Sequence, residues 1–291
     1  MTILIPALLR NSICALLVTA TTVAFAASQG DAKRGEYTAI AGGCVTCHTA
    51  SGKDAVRFAG GHALKTPFGT FYGPNITPHP QAGIGRWSEA DFMRAMREGL
   101  RPDGAHYFPA FPYPSYTQIV DADLRNLWAY LRSLPPSARQ NQEHDLRFPF
   151  GVRSLLWEWK LLFFKPGPTA ATAQTKTPVA RGAYLVNALS HCGECHTPRN
   201  ILGGPKNDRF LAGGKGPDGK NVPNLTPTKL RQWSDGELKD FLTTGITSDG
   251  DITAKAMGDV ITNTLSRITP EDLAAIIAYL RTVPALPDEP R

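Results

Sequence analysis

Two short stretches hold residue types that act together, Cys44-Val45-Thr46-Cys47-His48 and Cys192-Gly193-Glu194-Cys195-His196. Two thiols separated by two residues, with a histidine directly after the second, have a specific chemical use. Both sulfurs can add to the vinyl groups of one haem while the imidazole lies beneath its iron. A single match also suits a thiol redox pair or part of a zinc site. Two matches in a repeated frame favour haem chemistry. Cys44, Cys47, Cys192 and Cys195 are therefore the expected attachment points of two covalent haem c groups, and His48 and His196 the expected proximal iron ligands. The fifth cysteine, Cys14, lies in a leading segment, so none is left for a structural disulfide or a nucleophile.

The elements that must position these motifs also occur twice. Cys44 and Cys192 are 148 residues apart, and Asn75-Ile76-Thr77-Pro78 returns as Asn224-Leu225-Thr226-Pro227 after 149. Trp87-Ser88 returns as Trp233-Ser234 after 146, and Ala129-Tyr130-Leu131-Arg132-Ser133 as Ala278-Tyr279-Leu280-Arg281-Thr282 after 149. Four matches in one order indicate two homologous haem domains. Arg34 to Ala41 and Ala180 to Leu189 read as helices leading into the motifs. Ser88-Glu89-Ala90-Asp91 and Ser234-Asp235-Gly236-Glu237 read as capping boxes. Phe92 with Met96, and Leu238 with Leu242, share a helix face. A last helix runs from about Ala122 to Leu134 and from Pro270 to Val283, stopped by Pro135 or Pro284. Glycine-rich loops such as Phe58-Ala59-Gly60-Gly61 and Leu211-Ala212-Gly213-Gly214 need no regular structure if they wrap a haem.

The sixth iron ligand separates the two copies. In the second, the run beyond Gly245 leads to Met257, whose thioether on a loop suits a His/Met haem of raised potential. Met257 is seven residues past Gly250; seven past Gly104 is Phe111, which cannot bind iron. The first haem therefore either lacks a protein sixth ligand or takes one from elsewhere. His106, in the same loop, is the candidate, and a bis-histidine site would have a lower potential; an exposed loop histidine is the plain alternative. Met96 matches Leu242 and reads as core, Met93 matches Lys239, and His62 is a further choice. Around the irons, a carbonyl near Pro198 is expected to orient the proximal imidazole in the second copy, with the first set differently. Arg199 is a candidate partner for a haem propionate. Trp87 and Trp233 are expected to pack at the haem edges, with a hydrogen bond where one is reachable. Asn75 and Asn224 are expected to fix the adjacent loops.

Residues 1–26 have the pattern of a secretory signal peptide: Arg10, an apolar run from Ile13 to Phe25, and Ala24-Phe25-Ala26 ahead of the cut. A disulfide-permissive, exported location follows, with 27–135 and 178–291 as the two haem domains and 136–177 as the linker. Gly167 to Pro178 reads as extended chain. Leu155 to Phe164 is aromatic and apolar but too short and charged to span a bilayer, so it either packs across the junction or meets a partner or membrane surface. The formal charge of +6 falls once Arg10 is removed and haem propionates are added. That leaves a surface suited to redox proteins and no case for nucleic acid.

The chain resembles the exported di- and trihaem cytochrome c proteins related to the cytochrome subunits of bacterial membrane-associated alcohol, aldehyde and gluconate dehydrogenases. The resemblance rests on both motifs, on Pro74-Asn75-Ile76-Thr77-Pro78 with Gly83-Ile84-Gly85-Arg86-Trp87, on Tyr107-Phe108-Pro109-Ala110-Phe111-Pro112-Tyr113, and on His191 through Asn200. It implies an all-α fold of two tandem class I-like cytochrome c domains. It also implies a periplasmic electron carrier between a dehydrogenase and a quinone- or oxidase-linked acceptor, associated with the outer face of the inner membrane. Relatives typically offer methionine where this chain has Phe111, and a third haem domain usually follows. A haem enzyme, such as a peroxidase or a sulfur-compound dehydrogenase acting at the first haem, is the alternative; an anchoring subunit using Leu155 to Phe164 is a third.

Overall fold

Asp31 opens the first helix, its carboxylate accepting the amides of Lys33 at 2.8 Å and Arg34 at 3.2 Å ahead of α1 (Ala32–Ala41). The computed structural model describes residues 30–168 and 176–288, apart from 217, 248 and 254. The leader read in residues 1–26, Cys14 and part of the 136–177 linker lie outside the described residues.

α1 runs into the one-turn α2 (Cys44–Cys47) and crosses α5 (Asp121–Ser133). Gly35 makes this crossing close, because a Cβ there would stand 1.8 Å from the Asn126 carbonyl oxygen. The second copy repeats the contact. There α7 (Pro178–Tyr184) continues as a π-helical turn to Leu189 and reaches α8 (Gly193–His196). It crosses α12 (Pro270–Leu280) at Gly182, whose Cβ would lie 1.9 Å from the Ala275 carbonyl oxygen. Between the crossing helices, α3 (Glu89–Glu98) and α10 (Asp235–Thr244) carry complete capping boxes and end on left-handed Gly99 and Gly245. Shorter helices α4 (Tyr113–Tyr116), α9 (Pro227–Leu230) and α11 (Lys255–Asn263) fill the remaining turns.

The architecture is two tandem, mostly helical domains, with one departure from an all-helical reading. The loops after Gly60-Gly61 and Gly213-Gly214 are not wholly irregular. β1 (Ala63–Thr66), β2 (Gly69–Tyr72) and β3 (Asp145–Leu146) form an antiparallel sheet in that order, and β4 (Gly214–Lys215) pairs with β5 (Asn221–Val222). Strands this short show too little alternation to be read in advance, and β3 joins from far along the chain.

The domains share one core. Ile84, Phe92, Ile119 and Leu124 belong to the same buried cluster as Leu185, Leu189, Leu211 and Ile276. The polar contacts across it are nearly symmetric. Tyr37 donates to Asp272 Oδ2 at 2.6 Å and Tyr184 to Asp123 Oδ2 at 2.7 Å, so each first helix reaches the other domain's last helix. The amides of Thr269 and Val120 donate in turn to these phenol oxygens, at 3.2 and 3.3 Å. Arg181 adds a two-pronged pair to Asp272 at 2.8 and 2.7 Å. Burial pushes the Asp272 carboxyl up, but the hydrogen bonds from Arg181 and Tyr37 outweigh it and hold the carboxyl below its usual value of 3.8. A folded pKa below the unfolded one gives stability that is present above the unfolded value and lost as pH falls through the folded one. Asp272→Asn is therefore expected to cost roughly 2 kcal/mol near neutrality. The gap from wild type should narrow below about pH 4 in urea unfolding at a series of pH values.

α6 (Leu156–Phe163) lies across the junction. Lys160 Nζ donates to the Glu98 and Gly99 carbonyls of the first domain at 2.5 and 3.0 Å, and Trp159 Nε1 to the Leu202 carbonyl of the second at 3.0 Å. Its outer side leaves Leu161 72 % and Leu162 67 % exposed. Among the described residues, no helix is long and apolar enough to cross a membrane.

Candidate haem sites

Each motif is one turn of helix, closed by the histidine amide on the first cysteine's carbonyl at 3.0 Å for both His48 and His196. That turn brings both thiols and the imidazole to one side of the chain. The His48 Nδ1 meets the Pro74 carbonyl at 2.7 Å, and the His196 Nδ1 meets the Pro223 carbonyl at 2.8 Å. A carbonyl only accepts, so each ring carries its proton on Nδ1 and leaves Nε2 bare, the form that binds a metal. Burial lowers both imidazole pKa values and favours the neutral ring. Burial also pushes the Cys44 and Cys192 thiols up to about 12.

The orienting carbonyls differ from the expectation. They come from the residues before Asn75 and Asn224, not from the neighbourhood of Pro198, and both copies use the same device. The asparagines hold it in place. Asn75 Oδ1 accepts from the Thr77 amide at 3.0 Å while its Nδ2 donates to the Ser137 and Arg139 carbonyls at 2.8 and 3.0 Å. Asn224 accepts from the Thr226 amide at 2.7 Å and donates to the Leu286 carbonyl at 2.8 Å. Gly60 donates its amide to the His48 carbonyl at 2.8 Å, and Gly213 to that of His196 at 2.9 Å. Both glycines have positive φ, and a Cβ would come within 2.6 or 2.7 Å of the following loop's Asn amide nitrogen.

The opposite wall keeps a strict offset between copies. Leu100 bridges His106 as Ile246 bridges Ile252. Tyr107 donates to the Gly99 carbonyl and Thr253 to that of Gly245, both at 2.9 Å. His106 thus matches Ile252, and Phe111 matches Met257. In the first copy a cleft partly open to solvent brings together Cys47, His62, Phe71, Tyr107, Phe111 and His144. His106 does not line it. The next two residues, Tyr107 and Phe108, do. His106 turns toward the linker, where its carbonyl accepts from Arg153 at 2.8 Å and its ring senses Lys160. Met257 sits half-buried against the core on the first turn of α11, not on a loop. Met96 is 5 % exposed in the core and Met93 packs against it.

Arg199 pairs with Glu194 at 2.5 Å and with the Gly203 carbonyl at 2.7 Å. Trp87 packs on the core and Trp233 on Phe241, with ring centroids 5.5 Å apart. Among the described residues, neither indole donates a hydrogen bond. His62 lines the cleft beside Cys47, its carbonyl accepting from the Gly73 amide at 2.9 Å and its ring near enough to His48 to interact electrostatically.

The two motifs meet at the domain interface. Tyr116 donates to the Gly42 carbonyl at 2.7 Å, two residues before Cys44, and its ring packs edge-on to His191, one residue before Cys192, at 5.3 Å. Ser115 reaches Glu194 inside the second motif at 2.6 Å, and Ser190 donates to the Ala41 carbonyl at 3.0 Å. Cys47 and Cys195 are close enough to interact electrostatically.

Fold and sites define a tandem pair of helical domains, each presenting two thiols and a metal-competent imidazole, of the kind that carries electrons. The chain belongs to the cytochrome c family, whose model matches residues 32–135 and 179–284. It is 47 % identical over 267 residues to a diheme cytochrome c-type protein of Cereibacter sphaeroides, covering 90 % of this chain and 89 % of that one. It is 39 % identical over 259 residues to the fructose dehydrogenase cytochrome subunit of Gluconobacter japonicus, covering 87 % of this chain and 52 % of the relative. It is 38 % identical over 267 residues to the cytochrome c subunit of the quinone alcohol dehydrogenase of Gluconobacter oxydans, covering 88 % and 55 %. The chain thus spans about half the length of these two dehydrogenase subunits. It is a diheme c-type cytochrome related to dehydrogenase cytochrome subunits, with an electron-transfer role.

Proposed function

We propose that the chain is a periplasmic shuttle that takes single electrons from a dehydrogenase and passes them toward a quinone- or oxidase-linked acceptor. One observation carries this reading: the two haem-attachment segments are packed against each other through Tyr116, Gly42 and His191. Each haem, when bound, supplies an iron that alternates between ferrous and ferric. The protein's own contribution is rigid placement. Cys44 with Cys47 and Cys192 with Cys195 hold the two macrocycles, and the Pro74 and Pro223 carbonyls fix the His48 and His196 rings. A ring held this way needs little rearrangement as the iron changes charge. Met257 would hold the second haem through its thioether, and His106, which does not line the cleft beside Cys47, would not hold the first.

Pyridine haemochrome assay of the exported protein is expected to give two haems per chain, and a potentiometric titration two resolved waves. A single haem, or loss of the N-terminal segment's export function without effect on haem loading, would contradict the reading. His106→Ala is expected to leave the optical and EPR spectra of both haems unchanged. Disappearance of a low-spin ferric signal in that variant would restore His106 as a ligand.

A further inference from the structure

We propose that the first haem keeps its sixth position open to a small diatomic molecule, with Phe111 walling the site and His144 donating a hydrogen bond to the bound molecule. The inference rests on haem attachment at Cys44 and Cys47 and goes beyond the electron-carrier role.

The matched hydrogen bonds align Tyr107 with Thr253, and four residues on from each stand Phe111 and Met257. Phe111 lines the same cleft as Cys47, and a benzyl ring has no lone pair for iron. Of the cleft's other polar side chains, His62 lies close enough to His48 for the two rings to interact electrostatically, which sets it toward the proximal ligand. His144 accepts the Tyr72 amide at Nδ1, at 3.2 Å, so the neutral ring carries its proton on Nε2 and offers no bare nitrogen. Phe71 and Phe108 flank that ring edge-on, with centroids 5.4 and 5.6 Å away, and burial keeps it neutral. Tyr107 is a buried phenol whose pKa burial pushes up to about 12, so it stays protonated.

Beside Phe111 the chamber is largely aromatic, with the His144 N–H and the Tyr107 O–H as donors. Polarity, donors and access on the distal side decide whether a haem binds a small molecule or only passes electrons. Apolar walls favour a neutral ligand, and the donors favour one that accepts a hydrogen bond. Binding forms one iron–ligand bond, with no electron transferred and no group released.

Carbon monoxide added to the reduced full-length protein is expected to shift the Soret band of one of its two haems. Phe111→Met, with two haems verified by haemochrome assay, is expected to abolish that shift by supplying a thioether. His144→Phe is expected to keep binding but raise the infrared stretching frequency of the bound carbon monoxide. The proposal fails if the reduced wild-type spectrum does not respond, if both haems respond, or if Phe111→Met still binds as before. An unchanged stretching frequency in His144→Phe would remove His144 from the site. A chain with fewer than two haems would instead fail the earlier electron-carrier reading.

Discussion

Gly35→Ala and Gly182→Ala are each expected to destabilise the protein by about 3 kcal/mol, with reduced haem incorporation on expression. The new methyl group would sit 1.8 Å from the Asn126 carbonyl oxygen in the first case and 1.9 Å from that of Ala275 in the second. Neither obstacle is a flexible side chain that can swing aside. Each crossing must open, and α1 with α5, or α7 with α12, then loses contact along its length. Because one core runs through both domains, damage to either crossing is felt by the whole chain. Gly236→Ala is the control of opposite sign. That exposed helical glycine has nothing nearer than Ser234 Oγ at 3.9 Å, and alanine there should stabilise by up to about 1 kcal/mol. Thermal unfolding of the three variants separates crowding from any general effect of adding a methyl group.

The double substitution Cys192→Ser with Cys195→Ser is expected to remove the second haem and leave the first, halving the haemochrome absorbance per chain. The potentiometric titration should then show one wave, and the lost wave should be the higher one, since a thioether ligand raises the potential. Leu185, Leu189 and Leu211 lie in the core beside this motif, so the variant should also unfold at lower denaturant. Retention of two haems, or loss of the lower wave, would overturn the assignment of the second motif and of Met257. The matching substitutions at Cys44 and Cys47 should remove the lower wave instead.

Much of this site was legible because its chemistry is local. A haem-attachment motif occupies five consecutive residues, and the helices around it are marked by capping boxes and stop signals read from neighbours. The duplicated spacing also exposed the difference between Phe111 and Met257, which the hydrogen bonds at Gly99 and Gly245 place in one register. The orienting carbonyls of Pro74 and Pro223 were not legible. Any backbone oxygen is chemically equal in sequence, and only the returning loop selects one. Their signal was present in the recurring Pro-Asn pair, which fixes the loop rather than touching iron.

His106 shows the limit from another side. Its residue type and loop suit a ligand, but which way a side chain faces is set by tertiary packing, and His106 does not line the cleft beside Cys47. His144 lies more than thirty residues from the loop it faces, brought to the cleft when β3 pairs with β2. The Tyr37–Asp272 and Tyr184–Asp123 contacts repeat in both copies, yet each crosses between domains, so no single copy reveals them. The sequence by itself determined the two cysteine–histidine motifs and the duplicated helical plan, because these depend on contiguous residues and short periods. The tertiary structure decided which carbonyl holds each imidazole, which side chains line the cleft beside Cys47 and how the motifs meet, because those depend on contacts between distant segments.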